Sequence, residues 1–151
     1  MLAENTVLTG RRAITRSYAK INLTLDVLSK RENGYHDIKM IMQTVSLFDL
    51  ILVDKTHKGI SISTNLPYLP CNEKNIAYKA ADAFFKATGI RGGAKIVIHK
   101  NIPVAAGLAG GSGNCAAVLT AINMLHGNPL SNDELMHIGA SLGADVPYCF
   151  D

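Results

Sequence analysis

"NIPVAAGLAGGSGNCAAVLTAINML", Asn101–Leu125, decides how this chain folds. Glycines at 107, 110, 111 and 113 run into an apolar stretch with helical spacing. A glycine-rich turn that opens a helix presents unpaired backbone N–H groups and the positive end of the helix dipole, an apparatus suited to anions. The small side chains of Ala105, Ala106 and Ala109 would let the backbone come close to a ligand. No lysine follows the cluster, which excludes the GxxxxGK[ST] phosphate loop. "GSGNCA", Gly111–Ala116, partly matches the dinucleotide fingerprint, but that turn must follow its strand directly. Here the preceding strand-like run ends near His99, with Pro103 in between. A third design fits, a long loop that wraps a triphosphate and ends as a helix N-terminus. A plain surface loop with close helix packing fits as well.

Working outward, "AKIVIHK" before the loop predicts a short strand, and the helix after it is expected from about Ser112 to His126. "SNDE", Ser131–Glu134, is a capping box that opens a further helix ending near Leu142. "GADVPYCFD" is expected to leave that helix extended, because Pro147 disfavours helical angles at Val146. Upstream, Glu73–Thr88 has a helical apolar face and is stopped by Gly89. "AITRSYAKINLTLDVL" reads as a strand with Ile21, Leu23, Leu25 and Val27 on one face. "IKMIMQTVSLFDLILVDK" reads as one long strand or two short ones, and "GISIST" as another. Strands come first and helices then interleave with a strand, which favours an α+β fold over a doubly wound sheet. Residues 1–16 are expected as a partly disordered arm, with the domain over 17–151.

The 151 residues suffice for one domain with a real core. At 48% hydrophobic and 18% charged the balance is that of an ordinary globular protein. The net charge of +3 is mild and its basic residues are scattered, so no nucleic-acid stripe is expected. Cys71, Cys115 and Cys149 form no CxxC pair, which argues against a zinc site or a disulfide framework. No stretch has the length of a signal peptide core or a membrane span, so a bacterial cytoplasm is the expected location.

Three segments together carry a family resemblance. "PVAAGLAGGSGNCAA" resembles the phosphate loop of the kinase superfamily named for galactokinase, homoserine kinase, mevalonate kinase and phosphomevalonate kinase (GHMP). "YAKINLTLDVLSKRENGYHDI" and "LGADVPYCF" narrow it to the members that phosphorylate 4-diphosphocytidyl-2-C-methyl-D-erythritol. The resemblance runs from about Ser17 to Asp151. It implies the N-terminal domain of such an enzyme, a ribosomal-protein-like two-layer arrangement of sheet and helices, with the C-terminal domain absent. It also implies ATP and Mg²⁺, a cytidine-diphosphate-linked polyol as substrate, and no nucleic-acid or membrane partner. Apolar surface freed by the missing domain could pair two copies.

Residue by residue, the resemblance makes Asp145 the base that takes the hydroxyl proton, with Lys20 beside it. On the residues alone, Asp145 could equally be a turn aspartate. Lys20 is a lone charge in an apolar strand, costly if buried unless paired, or else a strand-edge lysine whose head reaches water. Asn22, two residues on, shares the face of Lys20 and is implied to bind the polyol. Tyr35 and His36, in the "GYH" loop, are implied to hold the cytosine; without the flanking match the tripeptide is an ordinary turn. ATP binding is implied for Lys100, Pro103, Ala106, Gly107, Leu108, Ala109, Gly110, Gly111, Ser112, Gly113 and Asn114. Ser112 could also offer a hydroxyl to Mg²⁺. Alanine stands at 105, 106 and 109 where many members have glycine, so negative φ is expected there. Gly113 stands where serine is common and lacks one hydroxyl. Cys115, near a helix start, is expected to have a lowered thiol pKa. Homoserine- and mevalonate-type kinases are the alternatives within the superfamily, although neither substrate has a base for the GYH loop to stack on. A non-catalytic domain of the same architecture is the alternative outside it.

Overall fold

A computed structural model describes residues 2–30 and 36–150; the side chains of Lys30 and of residues 36–38 lie outside the description. The chain order is β1 (Thr6–Thr9), β2 (Arg12–Lys30), β3 (His36–Thr56), β4 (Gly59–Thr64), α1 (Ile76–Thr88), β5 (Gly93–His99), α2 (Gly110–Leu125), α3 (Asn132–Leu142) and a 3₁₀ turn, Pro147–Phe150. The strands form one sheet in the order β1-β2-β3-β5-β4. All pairings are antiparallel except β4 with β5, which α1 connects.

α2 is apolar nearly all round, and twelve of its residues, Gly110 and Gly113 through Asn123, are buried. A helix with no polar face belongs in the middle of a structure. α2 packs against β1, β2, β3 and β5, and α1 and α3 pack against it. Its partners in the core are the inward residues of the sheet, among them Ala13, Ile51, Val53, Ile96 and Ile98, and the face Ala77–Ala80–Ala81–Phe84 of α1. Asn75 caps α1 by accepting from Ala77 N at 2.9 Å, so the helix begins three residues later than Glu73. Gly89 ends it at φ 66°, a left-handed angle that glycine takes without strain. The capping box at Ser131 and Glu134 is formed in both directions.

Three expectations change. Residues 2–16 are not a disordered arm: Thr6–Thr9 pair with Arg12–Thr15, Leu2 is buried, and Leu2 N donates to Phe150 O. Pro147 does not keep "GADVPYCFD" extended; proline suits the first position of a helical turn, and Pro147–Phe150 make one. Leu23, Leu25 and Val27 do alternate along a strand, but they are 57%, 50% and 60% exposed. β5 reaches β3 only over Leu50–Thr56, so the far halves of β2 and β3 pair with each other alone and project as a two-stranded ribbon.

Candidate active site

A cavity of about 490 Å³ opens between the glycine loop, the start of α1 and the carboxylate of Asp145. Lys100, Pro103, residues 106–112 and Asn114 all line it. The helix that begins there has Ala109 as its N-cap, a residue with no side chain to accept from the first turn, and no acid within that turn. The amides at the start of α2 therefore face the cavity with the positive end of the dipole behind them. Ala105 and Ala109 adopt φ of 57° and 56°. The expectation of negative φ fails at these two positions and holds at Ala106. Alanine's single methyl permits the left-handed region at a cost of about 1 kcal/mol. Leu108 O accepts from Lys20 N at 3.1 Å, which docks the loop on β2.

Asp145, which lines this cavity, meets Lys20, which lines a smaller one beside β2. Lys20 Nζ lies 3.5 Å from Asp145 Oδ2, with side chains 6% and 44% exposed. At that length the contact is an ion pair more open than a hydrogen bond. Lys20 Nζ also donates to Asn22 Oδ1 at 3.0 Å, so the three side chains adjoin. Asp145 is presented by the junction of α3 with the 3₁₀ turn. Gly139 permits that junction: a Cβ there would come within 2.7 Å of Val146 Cγ1 and 3.1 Å of Phe150 Cε2. Val146 is fully buried, and it anchors the carboxylate that precedes it.

Gly113 is not part of the large cavity. It faces β2, where an added Cβ would collide with Ser17 Oγ. With Ser17, Lys20, Thr44, Tyr148 and Cys149 it lines a small cavity of about 40 Å³. Ser17 Oγ is buried with no hydrogen-bond partner among the described residues. A serine hydroxyl thus occupies the space that a side chain at 113 would need. Cys115 is fully buried in the core, and burial, with Cys149 nearby as a lesser cause, pushes its thiol up to about 12. The expected lowering is overturned because the thiol is buried in the apolar core, where the charged thiolate is disfavoured. Tyr35 and the side chain of His36 lie outside the description. Lys100 is buried, and its ammonium pairs with Asp49.

Sequence reasoning missed two contributions. The loop between β4 and α1 supplies Leu69, Pro70, Lys74 and Asn75 to the cavity, and nothing in its composition pointed there. Asp49 was passed over although "VSLFDLILV" carries the same signal as Lys20, a lone charge in an apolar strand.

A mixed sheet backed by a central helix whose glycine-rich start lines a cleft, with an aspartate of a lysine–aspartate pair at its wall, defines a domain of the α+β class. Residues 75–150 match the GHMP kinases N terminal domain, and the chain belongs to that family. It is 52% identical over 136 residues to the 4-diphosphocytidyl-2-C-methyl-D-erythritol kinase of Clostridium kluyveri, covering 90% of this chain and 49% of that one. To the enzyme of the same name from Caldicellulosiruptor saccharolyticus it is 52% identical over 137 residues, covering 90% and 47%. A crystal structure of 4-(cytidine 5'-diphospho)-2C-methyl-D-erythritol kinase superposes with a TM-score of 0.79 at 36% identity, covering 91% of this chain and 48% of that one. Homoserine kinase from Cytophaga hutchinsonii shares the fold, with a TM-score of 0.72 at 20% identity over 96% of this chain and 44% of that one. The chain spans about half the length of the curated relatives it matches.

Proposed function

We propose that this chain is the ATP-binding half of a kinase that moves the γ-phosphoryl group of ATP to the 2-hydroxyl of 4-diphosphocytidyl-2-C-methyl-D-erythritol, in the non-mevalonate route to isoprenoid precursors. One observation carries the chemistry: Asp145, at the wall of the cavity into which the start of α2 opens, is paired with the buried Lys20 behind it. The substrate is supported by the 52% identity to enzymes named for it.

Phosphoryl transfer needs a positioned hydroxyl, a place for its proton and stabilisation of the charge on the transferring group. The amides at the start of α2 hold the β- and γ-phosphates. Apolar Leu69 and Pro70, which also line the cavity, suit the face of the nucleobase. Asp145 accepts the proton as the substrate oxygen forms its bond to the γ-phosphorus; the bond from that phosphorus to the β–γ bridging oxygen breaks, and ADP leaves with the electron pair. Lys20 orients the carboxylate and places positive charge near the developing negative charge. Asn22, exposed and bound to Lys20 through its carbonyl oxygen, has an amide N–H to offer to the polyol. Mg²⁺ supplies charge neutralisation on the phosphates. Ser112 lines the same cavity, and its hydroxyl would help to hold the ion, with phosphates and water completing the shell. Tyr35 and His36 take the cytosine. No helix among the described residues is long and apolar enough to cross a membrane, and we place the enzyme in the cytoplasm. The ribbon exposes Leu23, Leu25, Val27, Leu28 and Ile41. Such a surface suits the second domain of a longer enzyme, or a second copy in its place.

The test is ADP release with Mg²⁺, ATP and the cytidylylated methylerythritol, with homoserine and mevalonate as decoys. Turnover is expected with the cytidylylated alcohol only, falling about 10²–10⁴-fold in Asp145→Asn. Silence in this chain and also in the chain joined to a relative's second half would overturn the kinase reading. Equal turnover of a decoy would overturn the substrate.

A further inference from the structure

Asp49 puts a carboxylate in the middle of β3 and is fully buried. A charge so placed is costly unless it is paired and hydrogen-bonded. Its hydrogen bonds run to the two ends of the glycine loop. Oδ1 accepts from the backbone N–H groups of Asn101 and Ile102, each at 2.8 Å, where the loop begins. Oδ2 pairs with Lys100 Nζ. In the orientation that satisfies its surroundings, Asn114, near the start of α2, donates to Asp49 Oδ2 at 2.9 Å and to Gly110 O at 3.0 Å, and accepts from Lys100 Nζ at 3.2 Å. A Cβ on Gly110 would stand 3.0 Å from Lys100 Nζ, so the ammonium lies against the backbone at the first residue of α2. Asn65 completes the hold on Lys100, accepting from its N at 2.7 Å and donating to its O at 3.0 Å.

We propose that Asp49 is a positioning residue for the phosphate loop: through the Asn101 and Ile102 amides, Lys100 and Asn114, it ties both ends of the loop to the sheet and so sets the amides of α2 where phosphate meets them. The proposal rests on reading the cavity as the nucleotide site. Asp49 itself is not among the residues that line the cavity. Lys100 acts as one half of a matched ion pair beneath the loop, rather than as a free cation aimed at the nucleotide. The need for such an anchor is visible in Ala105 and Ala109, whose left-handed angles cost energy and persist only when held from outside.

Two readouts test it in this chain. Amide hydrogen exchange compares the loop, 103–113, with α1, 76–88, as an internal control. Titration compares Mg·ATP with adenosine, which has no phosphates. In Asp49→Asn, which keeps the side-chain shape and removes the charge, loop amides are expected to exchange about tenfold or more faster, with α1 unchanged. ATP affinity falls about tenfold or more while adenosine affinity holds. Loop exchange that stays in step with α1, or ATP and adenosine weakened alike, would overturn the proposal. If Asp49→Asn does not fold, Asn114→Ala decides by exchange alone, because it cuts the link to the start of α2 and leaves the ion pair intact. An unmutated chain that binds no ATP, while its loop exchange still responds to Asp49→Asn, would overturn the nucleotide reading and leave the anchoring standing.

Discussion

β2 and β3 are each two strands in one. Over Arg12–Lys20 and Phe48–Thr56 they lie inside the sheet, with β1 or β5 at their flanks and α2 across one face. There Ala13, Ala19, Ile51 and Val53 have no exposed surface. Beyond Lys20 the same two strands keep pairing and stay as apolar, yet Leu25, Val27 and Leu28 are at least half exposed. Hydrophobicity and strand propensity are alike in the two halves. What differs is whether a helix and further strands lie against them. Burial is thus a property of the neighbours a residue acquires, and an alternating pattern alone leaves it undetermined.

The largest expected difference is in stability. Ile51→Ala removes fully buried atoms beneath α2 and is expected to cost about 3 kcal/mol, lowering the melting temperature by about 6–12 °C. Leu25→Ala, in the ribbon, should change stability by less than about 0.5 kcal/mol. Thermal melts of the two variants side by side check this, and equal losses would mean that the ribbon is covered in solution. A difference in local opening comes next. Amides of 22–30 and 39–47 should exchange about a hundredfold or more faster than those of 13–19 and 50–54, since the ribbon can separate without disturbing the core. Exchange at one common rate would show β2 and β3 opening as a single unit.

The smallest effect belongs to His126, on the body of the domain. Its ring packs between Phe84 and Phe85, with centroids 5.8 and 5.7 Å away. Burial, and then the nearby charge of Lys55, lower its pKa from 6.5. Folding therefore favours the neutral ring. The stability this gives is fully present above pH 6.5 and is lost as the pH falls through the lowered folded-state value. Denaturant midpoints between pH 7.5 and 5 should decline less in His126→Phe than in the unmutated chain. Leu25→Ala, remote from this ring, should leave the decline as it was.

Much of the site was legible because its signals are local. Glycine spacing before an apolar run marks the start of α2, and Lys20 stands out as a charge in an apolar strand. The partnership of Lys20 with Asp145 came from family resemblance, and the 3.5 Å between them depends on Gly139 letting α3 close on Val146. Gly113 and Cys115 misled for one reason. Position along a helix start does not say which way a residue faces, and both turn away from the cleft, toward β2 and the core. Asp49 escaped notice because its partners, Asn101, Ile102, Lys100 and Asn114, lie at least fifty residues away in sequence.

By itself the sequence determined the elements from β2 to α3 and their order: where α1 is stopped, where the capping box opens α3, and that a glycine loop rather than a lysine loop leads into α2. These are matters of backbone angle, terminal hydrogen bonds and periodicity, all settled within a few residues. Only the tertiary structure decided that Arg12–Lys20 is core while Asn22–Ser29 is ribbon, that alanine takes left-handed angles in the loop, and that a buried aspartate on β3 holds that loop at both ends. Those outcomes depend on contacts between distant segments. Their energies arise when water is removed from between the segments, and no single segment carries that information.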